Sequence, residues 1–338
     1  MTETAISILI RRLAAAIPIL LVVSAVVFVV LRLIPADPLG MSLPPNATEA
    51  DVAALRHDMG FDRPIPEQYA IWLGHIAHGD FGISSHFRQR VTGLVFAALP
   101  TTLELVATGL LFGVVIGLTG GLVMFAGRGR LAERATDLGS IVVMSIPEFL
   151  WAIFLILGIG VAWRLLPFIG RIDPQISVPF HTGFLLLDSL IAGDGAAFGS
   201  AMAHLLLPAL ALALALAPLV MRVLRSSLVD TYLEDYITLA RLRGLSEWRI
   251  LLAHAFKNAA LPTVSLIGVQ AGFMFGGTLL VEVIYTLPGI GNLMVEAVRN
   301  HDLPLIQGIT LVYCVIVLVI NTVVDIAYLG LNPKLRRQ

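Results

Sequence analysis

Six stretches of the sequence run apolar for about twenty residues or more, the length an α-helix needs to cross a hydrocarbon core. They are Leu13–Leu31, Thr102–Ala126, Leu138–Ala162, Ala203–Val223, Leu261–Tyr285 and Leu305–Leu329. In lipid a backbone must satisfy its own hydrogen bonds, so these stretches predict an all-α membrane protein with six transmembrane helices. The composition agrees: 57% of residues are hydrophobic and only 13% charged, about half the charged share of a soluble domain. The first stretch follows Arg11 and Arg12 but outruns the apolar segment of a signal peptide and meets no A-x-A site. It reads as a retained span. The single cysteine, Cys314, lies in an apolar run and permits no disulfide within the chain. A net charge of −1 gives no sign of a nucleic-acid partner.

Basic residues orient the spans, because short inner loops collect Lys and Arg. With the N-terminus inside, the inner side holds Arg11, Arg12, Arg128, Arg130, Arg134, Arg222, Arg225, Arg241, Arg243, Arg249, Lys257, Lys334, Arg336 and Arg337. That leaves eight of the 22 basic residues outside, five of them between Arg32 and Arg90 in a loop too long for its charges to count. Both termini are therefore expected in the cytoplasm. The chain divides into an N-terminal tail and first helix (1–33), an extracytoplasmic subdomain (34–100) and a five-helix core (101–338). In the subdomain, "EADVAALRHDMGFDRPIPEQYAIWLGHIAHGDFG" reads as two helices around a Pro-bounded turn, closed by a turn at Gly79–Gly82.

Glycines at four-residue spacing mark two spans: Gly109, Gly113, Gly117 and Gly121 in the second, and Gly268, Gly272 and Gly276 in the fifth. Small residues at this spacing let helices approach closely in lipid. Pro147, Pro208, Pro218 and Pro262 lie in or beside apolar runs and are expected to kink them. Glu104, Glu148, Glu282 and Asp325 sit in or at the ends of spans. A charge facing lipid at a helix centre costs about 2.5–3.5 kcal/mol, so each should face the bundle or water. Span position places Glu104 and Glu282 near the outer surface and Asp325 near the inner one. Glu104, Glu282 and mid-span Gln270 are the polar residues singled out for a translocation path.

The core is interrupted on the inner side, within 226–260, by a segment too polar for lipid and too patterned for a linker: "DYITLARLRGLSEWRILLAHAFKNAALPT", Asp235–Thr263. Trp248, Leu251, Leu252, Ala255, Phe256 and Ala259 recur at three- and four-residue steps as one apolar stripe. Gly244 parts this helix from a shorter one before it, Ser246 stands where an N-cap belongs, and Pro262 opens the next span. Such a segment is either a basic amphipathic helix on the membrane surface or a rigid knob for a partner's groove.

The segment resembles the cytoplasmic "EAA" loop of binding-protein-dependent ABC importer permeases, in the long form of the dipeptide/oligopeptide/nickel branch. Asp235, Tyr236, Ala240, Arg241, Gly244, Leu245, Ser246, His254, Ala255, Asn258, Ala259 and Pro262 stand in register with that motif. Thr238 departs where other branches place Glu, as do Leu242 for Ala, Arg243 for Lys and Lys257 for Arg. Along the chain "GFDRPIPEQYAIWL", "GDFGIS", "LPTTLEL", "SIPEF", "HLLLPAL", "LPGIGNL" and "NTVVDIAYLGLNPKLR" resemble the family in order, although Asn332-Pro333-Lys334 replaces the usual Asp-Pro-Arg. The resemblance implies a type I importer permease fold with an extracytoplasmic insertion after the first helix. It also implies a homologous second permease, two ABC ATPase subunits, an extracytoplasmic solute-binding protein, contact with membrane lipid, and no cofactor. The loop then becomes the coupling helix, with Tyr236, Ala240, Arg241, Arg243, Gly244, Leu245, Ser246 and Trp248 at the ATPase contact. Peptides are the expected cargo, with nickel or another small solute as the alternative within the branch.

The sequence bears on other classes as well. It has no G-x-x-x-x-G-K-[ST] loop, and neither Lys257 nor Lys334 follows a glycine, so ATP is expected on a partner. It has neither H-E-x-x-H nor G-x-S-x-G, so no enzyme activity is expected of it. An ion-coupled secondary transporter would carry repeats and broken helices, and no repeat is visible. His75, His78, Asp80 and His86 cluster outside, but they overlap the family's general segment, and no metal is expected there.

Overall fold

The computed structural model describes residues 2–33, 48 and 62–331. Among them every extended regular element is a helix, with one isolated antiparallel bridge between Ile83 and Arg90. In chain order these are α1 (Thr2–Leu33), α2 (Ile65–Ala77), α3 (Val91–Ala126), α4 (Leu131–Met144) and α5 (Glu148–Leu155), which runs on as a π-helix over Ile156–Ala162. They continue with α6 (Leu185–Ile191), α7 (Gly195–Thr231), α8 (Asp235–Leu242), α9 (Phe256–Ile284), α10 (Ile290–Arg299) and α11 (Leu303–Leu331). The first helix expected in the subdomain, the C-terminal Asn332–Lys334 motif and the side chain of Asp325 lie outside what is described. The second expected helix is α2, and the turn after it has Gly79 and Gly82 at φ +78° and +81°, a backbone that glycine adopts without steric cost.

Among the described residues five helices are long and apolar enough to cross a membrane, and the third expected span makes a sixth only as a broken pair. Leu138–Ala162 is not one helix: α4 ends at Met144, α5 begins at Glu148, and their axes meet at 100°. Pro147 is the cause. It disfavours helix at Ile146, has no N–H to donate, and caps α5 in an extended conformation (φ −61°, ψ 153°). The other prolines lie within continuous helices: Pro100 sits inside α3, Pro208 and Pro218 inside α7. Pro262 does not open the fifth span as expected, because helix already runs through it. Helix ends also outrun the apolar runs, since α3 starts at Val91 and α7 continues to Thr231.

The central packing is α3 against α7. Gly109, Gly113, Gly117 and Gly121 are all buried and face Leu212, Leu216, Val220 and Leu224, one four-residue ladder seated on another. A Cβ at Gly113 would stand 2.7 Å from Leu216 Cδ2, and one at Gly117 2.5 Å from Val220 Cβ. The space is already full, so glycine here sets the distance between two helices. Gly117→Leu should push α3 off α7 and destabilise the fold by about 1–3 kcal/mol. Thermal unfolding in detergent checks this, with Gly139→Leu, where a Cβ meets nothing within 4 Å, as the silent control. In the fifth span Gly268 packs on Val324, whereas nothing lies near Gly276.

Three apolar clusters follow. Around Leu212, Leu216 and Phe275 one fills the middle; around Val95, Ile290 and Ile309 a second closes one end. The third, around Phe125, Leu228, Ile237 and Ile250, closes the other end and anchors the central loop.

Candidate functional site

At the end carrying the third cluster, α8 follows α7 after three residues and packs into that cluster by Ile237 and Ala240, both buried. The turn after α8 is a complete helix-ending motif. Gly244 N donates to Arg241 O (2.9 Å) and Leu245 N to Ala240 O (3.3 Å), with Gly244 at φ +75°. This is the paired hydrogen bonding of a Schellman cap, which calls for glycine at that position. Leu245 then packs into the same cluster as Ala240. Ser246 occupies the N-cap position (φ −65°, ψ 147°), but its hydroxyl makes no capping bond.

The chain re-enters helix at Glu247–Arg249, passes through a π-helical segment Ile250–Ala255 and continues unbroken as α9. Bonds of the i→i+5 type add a residue to the turn and shift the face. The expected single stripe is therefore split. Leu251, Ala255 and Ala259 are buried together with Ile250, while Trp248 (65% exposed) and Leu252 face outward. Outward with Trp248 point Leu233 (81%), Leu239 (49%) and Leu242 (80%). The loop is thus pinned on one side and apolar on the other.

Polar contacts stiffen it. Arg241 Nε donates to Glu247 Oε1 at 2.8 Å across the glycine turn, which pushes the Arg241 pKa further up. The Arg241 guanidinium lies 5.4 Å from the centre of the Tyr232 ring, and Arg128 covers Phe125 and Tyr232 at 4.2 and 5.1 Å. Asn258 Nδ2 donates to the Tyr236 hydroxyl (2.8 Å). Among the described residues Arg243 has no such partner and is exposed. Of the residues singled out in the loop, Ala240 and Leu245 anchor it, Arg241 and Gly244 shape its turn, Tyr236 braces it against α9, and Arg243, Ser246 and Trp248 face out.

Glu104 and Glu282 lie at the opposite end, each satisfied within the chain. Glu104 pairs with Arg171 Nη2 at 2.9 Å and accepts from Leu186 N at 2.8 Å. Glu282 is fully buried and accepts from Thr102 Oγ1 (2.7 Å) and Asn292 N (3.0 Å). Thr102 Oγ1 in turn accepts from Ile290 N (2.8 Å), so Glu282 closes onto the start of α10. Gln270 is half-buried, twelve residues before Glu282 on α9 and about 18 Å away along the helix. The three do not converge. Of the histidines before α3, His75 Nδ1 lies 3.8 Å from Asp80 Oδ2 and His78 Nδ1 bonds Gly74 O. No three metal-ligating side chains come together among the described residues.

The family described as the binding-protein-dependent transport system inner membrane component matches residues 109–337, and its N-terminal counterpart matches 5–106. The chain belongs to this permease family. The permease is 33% identical over 334 residues to the di/tripeptide transport system permease protein DppB of Pseudomonas aeruginosa (strain UCBPP-PA14), over 98% of this chain and 99% of that one. It is 32% identical to the dipeptide transport system permease protein DppB of Escherichia coli (strain K12), over 98% of each chain. With the glutathione transport system permease protein GsiC of Shigella flexneri serotype 5b (strain 8401) it shares 31% identity, over 97% of this chain and 98% of that one. Among solved structures, an inward-facing conformation of the MetNI methionine ABC transporter superposes with a TM-score of 0.54 at 15% identity, over 71% of this chain and 97% of that one. The permease has the type I ABC importer fold and is an integral inner-membrane protein.

Two carboxylates that sequence reasoning did not single out hold the permease's connections at the end away from the Gly244 turn. Asp302, fully buried, accepts from Ser84 Oγ, from His86 N (3.1 Å) and from Leu305 N (3.2 Å), which ties the segment before α3 to the start of α11. Asp188 accepts from the backbone N–H groups of His181, Thr182 and Gly183 and from the Thr182 hydroxyl. Burial pushes its carboxyl up, and these four hydrogen bonds more than offset that and hold it below the usual range. Asp302 lies in neither an apolar run nor a quoted motif, so no local signal marked it.

Proposed function

We propose that this permease forms half of the translocation path of an ATP-driven importer of di- and oligopeptides, paired with a homologous permease. Two ATPases dock below the pair from the cytoplasm, one of them on the loop Asp235–Ala255 of this chain, and a solute-binding protein delivers cargo at the opposite end. ATP-driven closure of the ATPases moves the loop and so switches the access of the path. The observation that carries this reading is the loop tip: a braced turn at Gly244 whose Leu233, Leu239, Leu242 and Trp248 are left exposed by the described residues. An apolar surface held this rigidly fits a protein groove. Peptide cargo follows from the di/tripeptide and dipeptide permeases that resemble the chain over its whole length. Gln270 belongs to the path. Glu104 and Glu282, being saturated, hold the shape of its outer mouth. Residues 34–100 form the extracytoplasmic insertion on the five-helix core.

The reading fixes a topology with both termini and Gly244 inside and His75 outside. In a Cys314→Ser background, an impermeant thiol reagent applied to intact cells should label His75→Cys and spare Gly244→Cys. Labelling of Gly244→Cys would reverse the orientation and remove the loop from the ATPase side. Reconstituted with its co-purifying subunits, the permease should import di- and tripeptides only when ATP is supplied on the Gly244 side. Uptake by the permease alone, driven by an ion gradient, would place it among secondary transporters.

A further inference from the structure

Glu148 opens α5 directly after the break in the third span. Its carboxylate lies over Gly277 of α9, where a Cβ would stand 3.0 Å from Oε1. Glu104, Glu282, Asp302 and Asp188 all hold hydrogen-bond partners. Glu148, half-buried, makes no hydrogen bond or ion pair among the described residues. Gln270 stands seven residues before Gly277, nearly two full turns, so the two positions share a face of α9 about 10 Å apart. Gln270 also makes no side-chain hydrogen bond among the described residues. Around them Phe273 (71%) and Leu280 (50%) are exposed, as is Gly276. Glu148 covers this face at Gly277, and the flank at Phe273, Gly276 and Leu280 is left uncovered among the described residues.

Two independent arguments say what it borders. An unpaired carboxylate facing hydrocarbon is penalised strongly, so it turns to water or to protein. The break at Ser145–Pro147 interrupts an apolar run, and non-helical backbone at membrane depth is likewise tolerated only inside protein or along a water-filled cavity. Both features fall at one place, beside Gly277. No Lys or Arg occurs in α5, and none in α9 beyond Lys257, so the face carries a single, negative charge.

We propose that Glu148 lines the translocation path and is the counter-charge for a cationic group of the cargo, either the α-ammonium or a basic side chain of a peptide. This rests on the permease reading above. Charge selectivity would then be set partly in the membrane, with Gln270 as the neutral contact two turns away.

Two measurements on the assembled transporter in proteoliposomes test it. In a Cys314→Ser background, Glu148→Cys should react with a water-soluble cationic methanethiosulfonate faster than Phe154→Cys, an exposed position on the same helix. Uptake should fall as it reacts. Secondly, uptake of tri-alanine analogues carrying one lysine or one glutamate is compared at saturating binding protein. Glu148→Gln should lower the lysine-to-glutamate turnover ratio on the order of fivefold, the upper end for one water-exposed ion pair. Glu148→Asp should retain the ratio. An unreactive Glu148→Cys in a transporter that still imports would mean that the residue is buried against the second permease, and would overturn the proposal. So would an unchanged ratio in Glu148→Gln. If Glu148→Gln fails to assemble, the reactivity of Glu148→Cys and the ratio in Glu148→Asp decide the matter. Absence of ATP-dependent uptake by the unmutated transporter is a different result, which sinks the permease reading itself.

Discussion

Leu242→Asp is expected to abolish most ATP-driven uptake while leaving the protein inserted and folded. Leu242 is 80% exposed, so the isolated chain loses no packing when it changes. A leucine side chain buried in a partner's groove contributes about 2 kcal/mol, which would weaken docking about thirtyfold. Gly244→Asp should act in the same direction for a second reason. At φ +75° a side chain strains the turn, although beyond its chain neighbours no atom of the described residues stands within 4 Å of the new Cβ. A charge there meets only what docks from outside. Arg243→Glu is the cleaner charge reversal, because Arg241→Glu also breaks the bond to Glu247. The measurements are ATPase co-purification in detergent, where no anionic leaflet remains, and peptide uptake in vesicles. Full docking and full uptake in all three variants would show that the loop is only an interfacial helix.

Glu282→Ala should have the largest effect on folding. It leaves the Thr102 hydroxyl and Asn292 N–H buried without an acceptor, at about 1–3 kcal/mol for each, and opens a void where the carboxylate filled the space beside Gly289 and Gly291. Glu282→Gln keeps the shape but offers one acceptor oxygen where two donors converge, so it should cost about 1–3 kcal/mol. Gly291→Val probes the same knot from the other side, since a Cβ there would stand 2.8 Å from the Leu279 Cα. Yield of monodisperse protein and its unfolding temperature in detergent measure all three. If Glu282→Ala is as stable as the unmutated protein, the network around α10 is not what holds that end together.

Much of the fold could be read from the sequence because membrane helices announce themselves locally. Apolar length gave the spans, and the glycine ladder from Gly109 to Gly121 marked the face that meets α7. Gly244 marked its own turn. The break at Pro147 was harder to foresee, since proline inside an apolar run gives a kink or a stop according to what satisfies the freed groups. Here Trp151 Nε1 reaches across the break to Val143 O at 3.1 Å. The split stripe after Gly244 escaped because periodicity assumes an α-helix, and the π-helical Ile250–Ala255 segment does not keep that period. The carboxylate knots were invisible for a third reason. Thr102 meets Glu282 across 180 residues and Ser84 meets Asp302 across 218, and no local pattern encodes such a meeting.

The unbroken passage from Glu247 to Ile284 makes the loop tip and the Gln270 face two points on one rod of 38 residues. Such a rod is about 57 Å long, and tilting it by about 5° at the tip carries the far end about 5 Å sideways. It works as a lever: a small displacement at the Trp248 end becomes a larger sideways movement at the Ile284 end, on the scale of a peptide's width.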